Sequence, residues 1–229
     1  MSARDPMDVD PPYDYAAYKS TLLRAPTQPM LRVAPHPMET SGPRFPRSFA
    51  HAADADLTLW GKSAPLGEKM VLVGQVSDED GTPVRNSLVE LWQCNSSGRY
   101  AHPVDQHDAP LDPNFLGQGK ALTDEQGRFR FVTIKPGAYP WRNHPFAWRP
   151  AHIHLSLFGN AYSQRLITQM FFPGDPLLPI DPVFNSVPDA AARERMVCAL
   201  DLEQGIEEVA LGYRFDIVLR GAKSTPMGV

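Results

Sequence analysis

"MVLVGQVSDEDGTPVRNSLVELWQC", Met70–Cys94, decides the fold. Its first four residues are all apolar, Asp80-Gly81 supplies a turn, and beyond it Val89 and Leu91 alternate with Glu90 and Trp92. Alternation with period two marks a strand with one buried face, so the stretch predicts a strand, a turn and a second strand. The pattern recurs in "GRFRFVTIKPG" (Gly127–Gly137), where Phe129 and Phe131 alternate with Arg128 and Arg130. Further strands are expected at "AHIHLSLFG", "QRLITQMFF" and "GYRFDIVLRG". A single helix is expected over Val187–Leu200, with Pro188-Asp189 at its start. Short strands, turn signals and one late helix predict an all-β fold, an antiparallel β-sandwich. A βαβ rhythm and a glycine-rich phosphate loop are both missing, which argues against a nucleotide-binding fold.

Residues 1–65 carry no sustained periodicity and read as an extended N-terminal arm for packing and subunit contact, with residues 66–229 as the sandwich domain. "YAAYKSTLLRAP" (Tyr15–Pro26) has the composition for one or two helical turns. A monomer gains little from ordering such an arm, so it is expected to lie across the body or a partner chain. The 24 prolines, spread along the chain, disfavour long helices and suit short strands joined by fixed loops. A net charge of -4 argues against nucleic acid or an anionic membrane as partner. No apolar run is long enough for a membrane span, and the acidic, proline-rich start does not resemble a signal peptide. With nothing marking export, Cys94 and Cys198 are expected to be reduced thiols in a cytoplasmic protein.

The chemistry concentrates in "YPWRNHPFAWRPAHIH", Tyr139–His154. On a strand His152 and His154 share a face, with Ile153 turned away, and two imidazoles about 7 Å apart along a strand can reach one metal. The same pair also occurs as ordinary hydrogen-bonded histidines, and imidazole suits zinc, copper and iron alike. The tract holds no cysteine or carboxylate to complete a zinc site or an Fe(II) triad. The nearby oxygen donors are phenols, Tyr139 and, farther upstream, Tyr100 in "NSSGRYAHP". A phenolate suits Fe(III); a tyrosine at a strand end equally serves packing.

"GRY", "IKPGAYPWRN", "WRPAHIH", "LITQ" and "YRFDIVLRG" together resemble the intradiol ring-cleavage dioxygenases, and the resemblance runs through "YKSTLLRAP", "ETSGP" and "FFPGDPLLP" to cover essentially the whole chain. It implies a non-haem Fe(III) held by Tyr100 and His152 as equatorial ligands and Tyr139 and His154 as axial ones. It further implies that Arg149 stabilises charge on the substrate ring, that Gln169 is the polar residue beside it, and that Tyr139 doubles as a base. Tyr18, Trp92, Trp141, Arg142 and Val183 match substrate-pocket positions. Val183 stands where the resemblance has isoleucine, a missing methylene worth about 0.5–1.5 kcal/mol if buried.

The implied reaction opens protocatechuate (3,4-dihydroxybenzoate) with O2 to 3-carboxy-cis,cis-muconate. The implied partner is a homologous α chain in an αβ hetero-oligomer. A sister specificity for catechol or hydroxyquinol, or a non-catalytic β-sandwich subunit, are the alternatives. Trp92 and Trp141 could instead be core aromatics, and Arg142 could pair with a surface carboxylate. His102, His107 and His144 have no assigned role.

Overall fold

The computed structural model describes residues 9–29, 31, 43–143, 148–159 and 165–228. Among these, eleven strands occur in the order β1 Lys69–Ser77, β2 Leu88–Trp92, β3 Gln118–Leu122, β4 Arg128–Ile134, β5 Tyr139–Pro140, β6 Trp148–Arg149, β7 His152–Phe158, β8 Arg165–Phe171, β9 Ala199–Leu200, β10 Leu211–Arg214 and β11 Ile217–Val218. The helices are short: α1 Thr21–Arg24, α2 Pro182–Ser186 and α3 Ala190–Glu194. The all-β expectation holds.

One sheet runs β3-β2-β7-β8 with every neighbour antiparallel. In the other, β1 pairs with β4 along one edge and with β10 and β11 along the opposite edge, and β9 pairs with β10. The pairings of β1 with β10 and β11 are parallel, a departure from the antiparallel pattern expected throughout. A parallel pair needs a long crossover, and here the whole of the other sheet intervenes. Between β10 and β11, Asp216 accepts the Gln75 backbone N–H through its carboxylate (2.9 Å), covering the ladder bond missing at the break.

The two sheets close on one core. Met70, Leu72 and Val76 of β1 and Phe129 and Phe131 of β4 meet Val89 and Leu91 of β2, Ile153, Leu155 and Leu157 of β7, and Leu166 and Met170 of β8. The turn at Asp80-Gly81 forms as expected: Gly81 takes φ 80°, and Asp78 Oδ1 accepts the Asp80 and Thr82 N–H groups. The strands flanking it do not pair as a hairpin, however. After Val84 donates to Val76 O (2.9 Å), the chain crosses to the other sheet, where β2 pairs with β3 and β7.

The expected fourteen-residue helix is shortened to α3. Asp189 caps it through the Ala191 and Ala192 N–H groups, but Val197 bridges to Phe171, and Ala199–Leu200 is drawn into the sheet as β9. Sheet pairing outcompetes the local helical preference there. Pro182–Ser186, not expected to be helical, forms α2 with Asp181 as its cap. Residues Tyr15–Pro26 contain one helical turn, α1. Part of the segment read as an arm is seated on the sandwich: Leu57 is buried in the core, and Asn86 Nδ2 donates to Phe45 O (3.0 Å).

Because Ile153, Leu155 and Leu157 point inward, His152 and His154 must point outward. Register then sets Trp92 and Gln169 on either side of His154, and Phe171 beside His152. Phe171 is capped in turn by a second cluster with Val9, Phe184, Val187 and Met196. The residues 182–196 therefore cover part of the outer face, and the rest of it is free to build a site.

Candidate metal and catalytic site

Four donor side chains are brought to this face by three constraints. His152 and His154 come from the pleat of β7. Their rings are 4.9 Å apart. Tyr139 lies in β5, which pairs with β6 so that Tyr139 stands opposite Arg149. Tyr100 ends the "CNSSGRY" turn, where Asn95 Oδ1 accepts the Ser97 and Arg99 N–H groups and Asn95 O accepts the Gly98 and Gly137 N–H groups. Asn95 thus ties the loop carrying Tyr100 to the one carrying Tyr139. Gly98 is needed in this tie: its φ is 79°, and a Cβ there would fall 2.2 Å from Ala138 O. Asp105 adds a further hold by accepting the Tyr100 N–H (2.7 Å).

The donors converge in pairs. Tyr139 Oη lies 3.3 Å from His152 Nε2, and Tyr100 Oη 3.2 Å from His154 Nε2. The two phenol rings meet edge to face at 5.4 Å. His152 Nδ1–H donates to Pro150 O (2.7 Å), which leaves the Nε2 lone pair facing the site. Burial, with Arg149 adding to it, pushes His152 well below the usual histidine range and His154 down to about 3, so both imidazoles are neutral ligands at ordinary pH. Burial raises both phenols, Tyr100 well above the ordinary tyrosine value.

Two imidazoles and two phenols fit a hard trivalent cation. Donor pairs 3.2 and 3.3 Å apart match edges of a coordination shell about 2 Å in radius. A cation would also supply what the phenols lack, a reason to lose their protons. Among the described residues no cluster of three or more His, Cys, Asp or Glu could hold a metal, which leaves a thiolate or carboxylate site without ligands.

Arg149 lies against this quartet and is only 2% exposed. Its Nε and Nη2 donate to the two oxygens of Asp181 (2.9 and 3.0 Å), and Nη2 also donates to Gln169 Oε1 (2.7 Å). Nη1 faces His152 Nε2 (3.1 Å) and Tyr139 Oη (3.5 Å). Gln169 is oriented by its own donation to Gly228 O (2.7 Å). Desolvation disfavours the guanidinium charge, but Asp181 more than offsets it and the Arg149 pKa is raised.

A cavity of about 1180 Å³ opens beside these groups. Its walls include Tyr100, Tyr139, Arg149, His154 and Gln169, joined by Tyr18, Trp92, Trp141 and Arg142. Trp92 is not a core aromatic; it is 48% exposed and stacks on the His154 ring at 3.9 Å with planes 6° apart. Trp141 meets Tyr18 edge to face and lies under the Arg149 guanidinium at 5.1 Å. Arg142 is exposed at the rim and forms no ion pair among the described residues. Val183 is 2% exposed inside α2 and is not among the cavity's lining residues. His102 and His107 do line it, and His144 falls outside the described residues.

Asp181, Asn95 and Asp105 were not anticipated. Aspartate before proline at a helix start and asparagine before Ser-Ser-Gly are local turn signals. Nothing in the sequence ties them to the ligands.

Comparison with known proteins places the chain among dioxygenases. A family model described as "Dioxygenase" matches residues 40–221, and one described as "Protocatechuate 3,4-dioxygenase beta subunit N terminal" matches residues 2–36. The chain is 54% identical to the protocatechuate 3,4-dioxygenase beta chain of Burkholderia cepacia, covering 95% of this chain and 93% of that one. It is 29% identical to the alpha chain of the Pseudomonas putida enzyme, over 82% of this chain and 93% of the other. The crystal structure of 3-chlorocatechol 1,2-dioxygenase from Rhodococcus opacus 1CP superimposes with a TM-score of 0.58 at 25% identity, covering 74% of this chain and 66% of that one.

Proposed function

Because this chain belongs to the intradiol ring-cleavage dioxygenase family, we propose that it opens protocatechuate with O2 to 3-carboxy-cis,cis-muconate, using a non-haem Fe(III) held by Tyr100, Tyr139, His152 and His154. The convergence of two phenols and two neutral imidazoles beside a buried arginine carries this reading. Ferric iron bound there would supply a Lewis acid for the hydroxyl oxygens of a catechol.

The chain's own residues would do the rest. A catechol binding as a dianion sheds two protons, and Tyr139, which would be a phenolate when it holds the iron, would take one of them and become a neutral phenol beside Arg149. Arg149, whose Nη1 faces the donor atoms of Tyr139 and His152, would offset the negative charge that grows on a ring bound beside them. Trp92 and Trp141 would wall the ring, and Tyr18 and the exposed Arg142 line the same cavity. Gln169 keeps Arg149 in place. With phenylalanine at position 139, iron should remain bound while deprotonation of the bound substrate slows by about 10²-fold or more, a typical share for one general base. Stopped-flow mixing under nitrogen would show this, and an unchanged rate would take Tyr139 out of that role.

A homologous α chain is the proposed partner in an αβ hetero-oligomer. This is supported by similarity to one curated β chain and, at lower identity, to an α chain. Residues 1–65 are the proposed packing arm and 66–229 the catalytic sandwich. No helix among the described residues is long and apolar enough to cross a membrane. The proposed location is the cytoplasm: Cys94 and Cys198 are unpaired and buried, as suits a reducing compartment.

A visible spectrum of the purified protein tests the whole reading. Tyrosinate on Fe(III) should give a broad charge-transfer band and a red-brown colour that moves to longer wavelength when protocatechuate is added under nitrogen. An iron-replete but colourless protein would refute the ligand set. Colour that responds to catechol and not to protocatechuate would refute the substrate.

A further inference from the structure

Asp181 has no exposed surface, and the structure uses each part of it. One carboxylate oxygen accepts Arg149 Nε; the other accepts both Arg149 Nη2 and the Phe184 N–H that opens α2 (3.0 Å). Its carbonyl accepts the Asn185 N–H (3.0 Å) and Asn185 Nδ2 (2.8 Å). Pro182 follows at the first helical position, where its fixed φ suits the turn. The carboxylate is therefore mounted on a short, fully tied corner.

A guanidinium is a planar fork of five N–H donors. When a carboxylate takes the Nε and Nη2 edge in parallel, the plane and the direction of Nη1 are both fixed. Gln169 takes the remaining Nη2 hydrogen. That leaves Nη1 alone to face Tyr139 and His152.

We propose that Asp181 is a positioning residue for the ring-opening reaction: by clamping the far edge of Arg149, it aims Nη1 at the substrate ring. This rests on the function proposed above. A plain capping role would need only one oxygen and the Phe184 N–H, and would make no use of the fork to Arg149.

Asp181→Asn separates the two roles. Asparagine caps helices about as well as aspartate, so α2 should persist. Its amide, however, has a single acceptor oxygen and sets an NH2 donor against a guanidinium donor, so the fork opens. Misplacement of a catalytic group by about 1 Å costs on the order of 10²-fold. In the iron-loaded protein co-expressed with its α chain, kcat should fall about 10- to 100-fold. Iron content and the visible band should stay at wild-type values, while the thermal midpoint should fall because Arg149 is left buried without its anion, so kcat is read well below that midpoint. The anaerobic dissociation constant for protocatechuate should also hold, within about threefold, since the clamp acts on the reacting ring more than on the resting complex.

Added to Arg149→Ser, the same change should have no further effect on kcat, because its target is gone. Three results overturn the proposal: a kcat within twofold of wild type; a loss of kcat matched by loss of iron or of folded protein at the assay temperature; or a further tenfold loss in the Arg149→Ser background. A wild-type protein that neither shows the band nor turns over protocatechuate would instead sink the function itself, and the Asp181 role with it.

Discussion

Replacement of His152 by alanine is expected to leave a folded protein that no longer holds iron and no longer turns over. The residue is 1% exposed, its Nδ1–H is fixed on Pro150 O, and its Nε2 faces the site. Loss of a hydrogen bond that merely orients a ligand typically costs 10- to 100-fold in metal affinity, so removal of the ligand itself should cost more than about 10²-fold. Metal content after dialysis against a chelator, read beside the visible band, is the measurement. Stoichiometric iron with an unaltered band would remove His152 from the ligand set.

The metal-free proteins give an independent check through pH. In the fold the two histidines stay neutral, whereas unfolded histidine takes a proton near pH 6.5. The unfolded chain therefore binds more protons as pH falls, and the native state loses stability from about pH 6.5 downward, towards pH 3 for His154. Metal-free wild type should lose thermal stability in acid more steeply than metal-free His152→Ala, which has one such group fewer. Equal slopes would mean that His152 is not held neutral in the fold.

The legible parts of this molecule were those carried by period and spacing. Alternation about Ile153 placed both histidines on one face before any coordinates, because the pleat leaves no other arrangement. The direction of a strand leaves no such mark, and so the parallel pairing of β10 with β1 could not be read from "GYRFDIVLRG". The helix over Val187–Leu200 failed for a related reason. Alanine-rich sequence favours a helix locally, but the bridge of Val197 to Phe171 is a long-range contact that local preference does not report. Of the site, the ligands and Arg149 sit in motifs that carry chemistry on their face. Asp181 reads as an ordinary helix start, and only the fold shows that it grips an arginine 32 residues back along the chain.

That grip decides how Arg149→Ser should behave. Removal of the guanidinium deletes the cation aimed at the reacting ring, and the loss of one such fixed donor costs about 10²–10³ in kcat, or about 2.7–4 kcal/mol of transition-state stabilisation. Catechol chelation is left intact, so the anaerobic band shift with protocatechuate should persist. kcat and kcat/KM should fall together, which marks an interaction made chiefly in the transition state. The substitution also leaves Asp181 buried without its partner, a situation that costs about 3–5 kcal/mol of fold stability. Part of any lost activity could then be lost protein. Arg149→Ser combined with Asp181→Asn removes both charges and keeps the α2 cap, so it should melt higher than Arg149→Ser alone while turning over just as slowly. A double variant that regained wild-type kcat would mean that the single variant failed by unfolding, and that the arginine is a strut of the fold with no part in the chemistry.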